Sequence, residues 1–563
     1  MNRIRLGHLR RYQVLLLAAL MMLLSLPLQA GPGTTTETVD LEMVTRIRQE
    51  GFRNSKVMDT LSELTDRIGQ RLTGSPNMKK ANEWTRDQLA SWGLTNAHLE
   101  PWSPFGRGWS NESVFIRMVA PDTTPLLAMP QAWTPSTNGL VRGEVIKVNP
   151  QTKEDLDKLK GQLTGKIVLL GATRDVKMHT ELEAERYNDA KLAEVAQYEP
   201  SGGGPGNFNR EEALKRFRFR SELDKFLDEE KPLAVIEPSR GDGGTIFVQG
   251  TRAYRKDVPL GPPTLTMAIE HWGRIARLLD RKVPVELELD VRNKFYDDAD
   301  TQYDTVAEIP GTDKKDEIVM LGAHLDSWHS GTGATDNAAG SAVMMEAVRI
   351  LRTLDVKPRR TIRIALWSGE EEGLLGSRGY VATHFGSRPE PTGQNDVPSF
   401  MRRETGPLTL KPEQKLVSGY FNVDNGSGKL RGIYLQENSA VRPIFEAWLE
   451  PFKDLGANTI TLRNTGGTDH LSFDAVGIPG FQFIQDPLEY SSRTHHSNMD
   501  VYERLQKEDL EQASIIVASF VYNTAMRDQM LPRKPLPTDT KWAEVATTKP
   551  EEAKVDKKAA KKK

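Results

Sequence analysis

The sequence predicts an α/β protein, a mainly parallel mixed sheet flanked by helices, with a β-rich domain inserted ahead of it. Two observations predict this. Between Asn293 and Met530, apolar strand-like runs alternate with segments of helical period, the pattern of a sheet covered by helices on both faces. Between Pro121 and Val291 the chain strings together short β-rich runs, EVIKV, GKIVLL, LAVIE, TIFVQ, TLTMA and VPVELELDV, which mark a separate strand-rich domain. At 563 residues the chain exceeds what one hydrophobic core holds.

The elements follow in order. Arg3, Arg5, Arg10 and Arg11 precede an uncharged apolar run from Val14 to Leu26, then PLQA and GPGTTTET. This is the grammar of a secretory signal peptide over residues 1–30, cleaved after Ala30. The apolar run falls short of the roughly 20 residues that span a bilayer. The expected mature protein is therefore periplasmic or extracellular, with no stable membrane span. Residues 31–120 read as a helical part of the catalytic domain, because VMDTLSELTDRIGQRL and NMKKANEWTRDQLASWGL carry apolar residues at three- and four-residue spacing.

Residues 121–291 form the β-rich insert. It is interrupted by a charged helical insertion over 175–230, itself broken by PSGGGPGNFN. That insertion reads as a solvated hairpin over the surface, with a substrate-gating lid as the alternative. In residues 292–531 the strands are EIVMLGAH, TIRIALW, YFNVD and IPGFQFI, and Val343, Ala347, Ile350, Leu351 and Leu354 mark one helical face. Residues 532–563 are rich in Pro, Lys, Glu and Thr and close with KKAAKKK. Such a composition buries no core, and a disordered tail is expected.

Lys and Arg number 75 against 77 Asp and Glu, a net charge of −2. No global field attracts nucleic acid or anionic lipid. The chain has no cysteine, which excludes a cysteine nucleophile and thiolate metal ligands. Any metal must be held by histidine and carboxylate.

In an open α/β sheet, ligands bind beyond the carboxyl ends of the strands, and polar clusters collect there. His324 and Asp326 end EIVMLGAH, and Asp336 follows His324 by twelve residues, where the next helix starts. Glu370 and Glu371 follow TIRIALWSG, Asp424 ends YFNV, and RTHHSNMD with His496 follows FQFIQ. Each cluster alone has a plain structural explanation, as a turn, a helix N-cap or an acidic first turn. Together, two imidazoles, three ligating carboxylates and one spare carboxylate suit two zinc ions about 3.5–4 Å apart. The spare acid can then act on the bound water and carry its proton to a leaving amine. His329, in the same glycine-rich stretch, is left without a ligating role.

The runs HLDS, GATDNAAG, WSGEEEGLLGS, NVDNG, GTDHLSF and HHSNMD, in that order, resemble metallopeptidase family twenty-eight. These are co-catalytic di-zinc exopeptidases that include bacterial leucyl aminopeptidases and carboxypeptidase Q. The resemblance implies the zinc-exopeptidase fold and two Zn2+ per chain. It implies His324 and Asp424 on one zinc, Glu371 and His496 on the other, Asp336 as the bridge and Glu370 as general base. Asp326 would orient His324 as a carboxylate behind the histidine. His495 competes with His496, but the family places its ligand four residues before an aspartate, and His496 and Asp500 meet that spacing. Residues 121–291 resemble the protease-associated domain, which in the family usually covers the active-site mouth.

The implied activity is hydrolysis of the terminal bond of short peptide substrates by a hydroxide bridging the metals. Aminopeptidase and carboxypeptidase Q-like dipeptidase both stand, with Trp328 and the interval from His324 to Asp336 leaning to the latter. One departure is visible. Aminopeptidases of the family place a tyrosine before the segment equivalent to GTDHLSF, whereas here Thr465 stands near that place. Carbonyl polarisation is left to the zinc ions, His470 or Tyr490. Two other classes share the scaffold. Glutaminyl cyclase-like acyltransferases are shorter and lack the insert, and inactive receptor-like scaffolds have lost ligands, whereas every position is filled here.

Overall fold

A computed structural model of the chain describes residues 37–198, 210–389, 397 and 406–536. The expected signal peptide, the PSGGGPGNFN break and residues 537–563 of the expected tail lie outside the described residues.

One eight-stranded sheet has the order Thr95–Trp102, Gln302–Ile309, Arg360–Trp367, Lys314–His324, Val417–Asn422, Gly480–Gln485, Leu430–Tyr434, Thr459–Thr461. Its four central strands, from Arg360–Trp367 to Gly480–Gln485, run parallel. Antiparallel pairs stand on either side of them, so the sheet is mixed. The central strands are parallel because both faces are covered, and they read as continuous apolar runs for the same reason. Val319, Leu321 and Ala323 face a core shared with the helices Ala339–Thr353 and Lys507–Met526, while Met320 faces a second core with Trp367, Tyr420 and Phe473. Register sets His324 opposite Trp367 and Gly322 opposite Asn422. Three neighbouring strands therefore end along one edge.

The N-terminal amphipathic segments fold as helices, Leu41–Arg53, Val57–Ser62 and Pro76–Ser91. The last starts where Ser75 accepts the amide of Met78 and Pro76 fills the first turn. Directly after it, Thr95–Trp102 leaves the helical pattern and pairs with Gln302–Ile309 as the edge strand.

A second eight-stranded sheet has the order Thr124–Pro125, Gly108–Ala120, Glu286–Tyr296, Val141–Val148, Ile167–Leu170, Ala234–Pro238, Thr264–Met267, Ala128–Pro130. Ile167, Leu169, Ala234, Ile236, Leu265 and Met267 pack with Trp272 beneath it. The run TIFVQ, expected to be a strand, joins neither sheet. Within it only Phe247 makes a single bridge, with Ser497, and Gly250 just after it bridges Ala132. Its apolar side chains Ile246 and Val248 instead pack with Ala268 and Met129.

The charged insertion is largely exposed in its first half, as expected, but is anchored at particular residues. Glu185 exchanges backbone hydrogen bonds of 3.1 and 2.8 Å with Leu488. Arg186 reaches Asp486 at 3.2 Å and Asp509 at 2.7 Å, and the Nε of Arg493 donates to Glu183 at 3.0 Å. Further on, Leu223, Phe226 and Leu227 of the helix Arg210–Glu230 pack against Val148, Leu156 and Val168.

Candidate active site

The strand-end residues converge. Nε2 of His324 stands 3.3 Å from Oδ1 of Asp424, 3.4 Å from Oδ1 of Asp336 and 3.9 Å from Oε2 of Glu370. Nε2 of His496 stands 3.0 Å from Oε2 of Glu371 and 3.3 Å from Oδ2 of Asp336. Asp336 thus turns one carboxylate oxygen to each imidazole. His324, Asp336 and Asp424 form one set of donor atoms within 4.8 Å of one another, and Asp336, His495 and His496 form another.

Each position has a local cause. His324 ends its strand, and its carbonyl accepts from the hydroxyl of Ser341, 2.7 Å away in the next helix. Asp336 precedes that helix with φ −131° and ψ 86°, outside helical geometry. Its carboxylate is thereby turned away from an N-cap role. Asn337 ties this turn to the Asp424 loop, donating to Val423 O at 2.9 Å. Gly340 permits the close approach: a Cβ there would stand 2.2 Å from Val423 O. Glu370 and Glu371 follow the strand Arg360–Trp367 in a turn.

Asp326 is fully buried, and its carboxylate does more than face His324. Oδ1 lies 3.4 Å from His324 Nδ1, whose nearer partner, at 3.0 Å, is Asp326's own carbonyl. The carboxylate also accepts from the amides of Glu370 and Glu371, both at 3.3 Å, and from the hydroxyl of Thr73 at 3.0 Å. Asp326 therefore joins the histidine to both glutamates.

Three residues support this arrangement; Asp500 enters the sequence reading only through its spacing from His496, and Arg71 and Thr73 give no sequence signal. Asp500 accepts from Thr335 N at 2.6 Å, from its hydroxyl at 2.8 Å and from Asp336 N at 3.2 Å. This gives the spacing between His496 and Asp500 a physical meaning, since the second residue holds the turn of Asp336. Arg71 is wholly buried and donates to the carbonyls of Leu325, Leu64, Gly69, Thr332 and Gly333, at 2.7 to 3.1 Å. Burial lowers its pKa to about 10, so it stays charged and fixes the loop after His324. Thr73, besides its bond to Asp326, accepts from Gly369 N at 2.9 Å.

The electrostatics favour a cation. Burial works to raise the pKa of Asp336, but the imidazoles around it prevail and hold its carboxyl well below the usual range. Burial works to lower that of His324, and the carboxylates of Asp424 and Glu370 reverse this. Burial first, then neighbouring carboxylates, push Glu371 well up, and Glu370 likewise, though His324 opposes. Oδ2 of Asp336 and Oε1 of Glu371 are buried without any hydrogen-bond partner. Orphaned carboxylate oxygens in a site with more acids than bases are costly unless a positive ion completes them. The residues fit metal held by nitrogen and oxygen donors.

His470 and Tyr490 differ in placement. His470 is fully buried, with Nε2 3.1 Å from Thr465 O and 3.0 Å from Nε2 of Gln436. Tyr490 lies at the cluster, where burial and then Asp336, Asp424 and Glu371 push its phenol well up. Its ring centroid stands 4.7 Å from that of His495, which in turn stands 3.6 Å from that of His496. His329 points elsewhere, with Nε2 2.7 Å from Pro130 O.

The family model described as "Peptidase family M28" matches residues 304–521, the stretch that carries all of these carboxylates and histidines. Residues 304–521 are a peptidase family M28 domain. Carboxypeptidase Q of Bos taurus is 26% identical over 485 residues, covering 86% of this chain and 88% of its own. A peptidase M28 precursor from Shewanella amazonensis shares the fold with a TM-score of 0.63 at 24% identity, over 88% of this chain and 98% of its own. A zinc aminopeptidase from Bacillus subtilis does so with a TM-score of 0.52 at 19% identity, over 84% and 95%.

Proposed function

We propose that the protein is an exported zinc-dependent exopeptidase that hydrolyses the terminal peptide bond of short peptides. The observation that carries this is Asp336, whose two oxygens face His324 and His496 at 3.4 and 3.3 Å with Glu370 beside them. In this reading His324 and Asp424 hold one zinc, Glu371 and His496 the other, and Asp336 serves both. Zinc bound there would polarise the scissile carbonyl and acidify the attacking water.

Glu370 is the general base. Its carboxylate is 10% exposed, open enough to meet a substrate and buried enough to exclude bulk water. It takes the proton of the attacking water as the carbon–oxygen bond forms, and gives it to the amine nitrogen as the carbon–nitrogen bond breaks. The amide bonds to Asp326 hold the glutamate turn in register for this transfer. The relatives, a carboxypeptidase and a zinc aminopeptidase, support an exopeptidase and leave open which end is attacked. Release of amino acids from a peptide library by the purified protein, with and without added zinc, tests the reading. Zinc-independent cleavage, or none, would count against it.

A further inference from the structure

A cavity of about 240 Å³ opens beside the start of the helix Pro76–Ser91, where that helix meets the strand Gly108–Ala120. None of the carboxylates and imidazoles assigned to metal lines it. At the ~30 Å³ that each molecule occupies in the liquid, it has room for about eight waters. Half-buried Asn77, Ser110 and Tyr296 form its outer wall, and the buried Trp109 and His329 form its inner one.

His329 carries the chemistry. Its Nε2 stands 2.7 Å from Pro130 O. A carbonyl only accepts, so the proton sits on Nε2 and Nδ1 keeps a bare lone pair. Burial holds the imidazole pKa down at about 4, so Nδ1 is an acceptor at neutral pH. His329 is 6% exposed, and this Nδ1 is buried without a hydrogen-bond partner. The ring is held by Pro130 and set edge-on to Trp109, with centroids 5.0 Å apart. An orphaned acceptor is costly unless a donor enters the cavity that it lines.

The other walls narrow the class of that donor. No Asp, Glu, Lys or Arg lines the cavity, so an ion would be desolvated there without a counter-charge. Ser75 caps the amide of Met78 at 3.2 Å, which leaves the Asn77 amide as a donor at the positive end of the helix. The hydroxyls of Ser110 and Tyr296 stand 3.1 Å apart, and either can donate. Donors and acceptors thus alternate around an uncharged wall. Hydroxyl groups, which donate and accept at one atom, match that alternation.

We propose that this cavity binds a small uncharged polyol of monosaccharide size, one hydroxyl of which donates to His329 Nδ1, and that its occupancy stiffens the loop carrying Asp326. Gln70 and Leu72, which also line the cavity, flank Arg71. The amide of Arg71 donates to Ser327 Oγ at 3.1 Å, and Arg71 O accepts from Ser327 N at 3.2 Å. A ligand held between Gln70 and His329 ties together the two segments that these bonds join. Trp328, between Ser327 and His329, sets its ring 6.0 Å from that of His496.

The test uses the purified full chain, with glucose as the probe and acetamide as the comparison, each titrated by calorimetry. Glucose should bind saturably with a Kd of about 1–10 mM, the strength open to a neutral ligand of about twelve heavy atoms. Acetamide, whose donors all lie at one end, should not saturate. His329→Gln keeps a donor for Pro130 O and puts nothing in the place of Nδ1, and Tyr296→Phe removes only the phenol hydroxyl. Each should weaken glucose by about 3- to 10-fold, as the loss of one hydrogen bond does. Hydrogen exchange at the amides of Arg71 and Ser327 should slow as glucose saturates wild type. Heat that grows with glucose and never saturates would mean an adventitious additive only, and would overturn the proposal. Unchanged affinity in Tyr296→Phe, which disturbs no buried group, would overturn it as well, as would exchange indifferent to glucose. Saturable binding of acetamide in place of glucose would overturn the ligand class.

Discussion

The amide of Val248 donates to the carbonyl oxygen of His496 across 2.9 Å. His496 has φ +64°, a left-handed conformation that non-glycine residues adopt at a cost. The contact therefore holds a strained residue, and it does so from a loop that follows the second sheet's strand Ala234–Pro238. Trp328 adds a ring contact at 6.0 Å on the other side. The inserted unit is part of the wall that places the histidine.

Asn498 is the side chain that locks this contact, since it bonds to Ile246 N and, at 3.2 Å, to Gly244 O. Asn498→Ala leaves the amide of Ile246 unpaired, at a cost of about 1–3 kcal/mol. The variant is expected to release zinc at a chelator concentration at least about tenfold lower than wild type. Asn498→Asp, which keeps the acceptor, should lie between. Chelator titration followed by metal analysis checks this, and unchanged retention in the alanine variant would refute the coupling.

Glu370→Gln keeps the size of the side chain and removes its basicity. Turnover is expected to fall by about 100- to 10,000-fold, the range of a positioned general base, with zinc content unchanged. Steady-state rates together with metal analysis check both halves. A variant that kept wild-type turnover would move the base elsewhere in the site.

Asp336→Ala removes the carboxylate that faces both imidazoles. Zinc and activity should vanish together. The metal-free variant should be less stable than metal-free wild type, because the imidazoles that hold the Asp336 carboxyl well below its usual range lose their counter-charge. The rise in melting temperature on adding zinc, which measures binding to the folded state, should largely disappear. Calorimetric melting with and without zinc checks this, and an undiminished zinc effect would argue against the assignment.

Much of this site is written locally in the chain. EIVMLGAH and TIRIALW are apolar because both faces are covered, and the first polar groups after them fall at the sheet's edge, so His324, Glu370 and Glu371 are legible as strand-end chemistry. Asp424 is legible in the same way. Arg71 and Thr73 are not, since their partners lie some 250 residues away in sequence and nothing local distinguishes them from surface residues. TIFVQ has strand-forming side chains, but Ile246 and Val248 pack with Ala268 while the backbone at Phe247 bridges Ser497, a partner that only the folded chain reveals. The helix Lys507–Met526 is buried on nearly every side, so it shows no apolar stripe for periodicity to detect.

Two buried histidines set an acid limit on stability. His329 and His470 each have a pKa lowered to about 4, by burial above all, with a backbone hydrogen bond opposing. In the unfolded chain each titrates near 6.5. Between these values the unfolded state binds the proton and the folded state does not, so stability rises with pH across the window. The contribution is whole above about pH 6.5, is lost as pH falls to about 4, and changes no further below. A shift of this size corresponds to about 3 kcal/mol per histidine. His329→Gln can still donate to Pro130 O but has no proton to gain. Urea midpoints at pH 7, 6, 5 and 4.5 should show the variant losing less stability than wild type as the pH falls, with the difference confined to this window. Parallel curves for the two proteins would show that His329 does not titrate on unfolding.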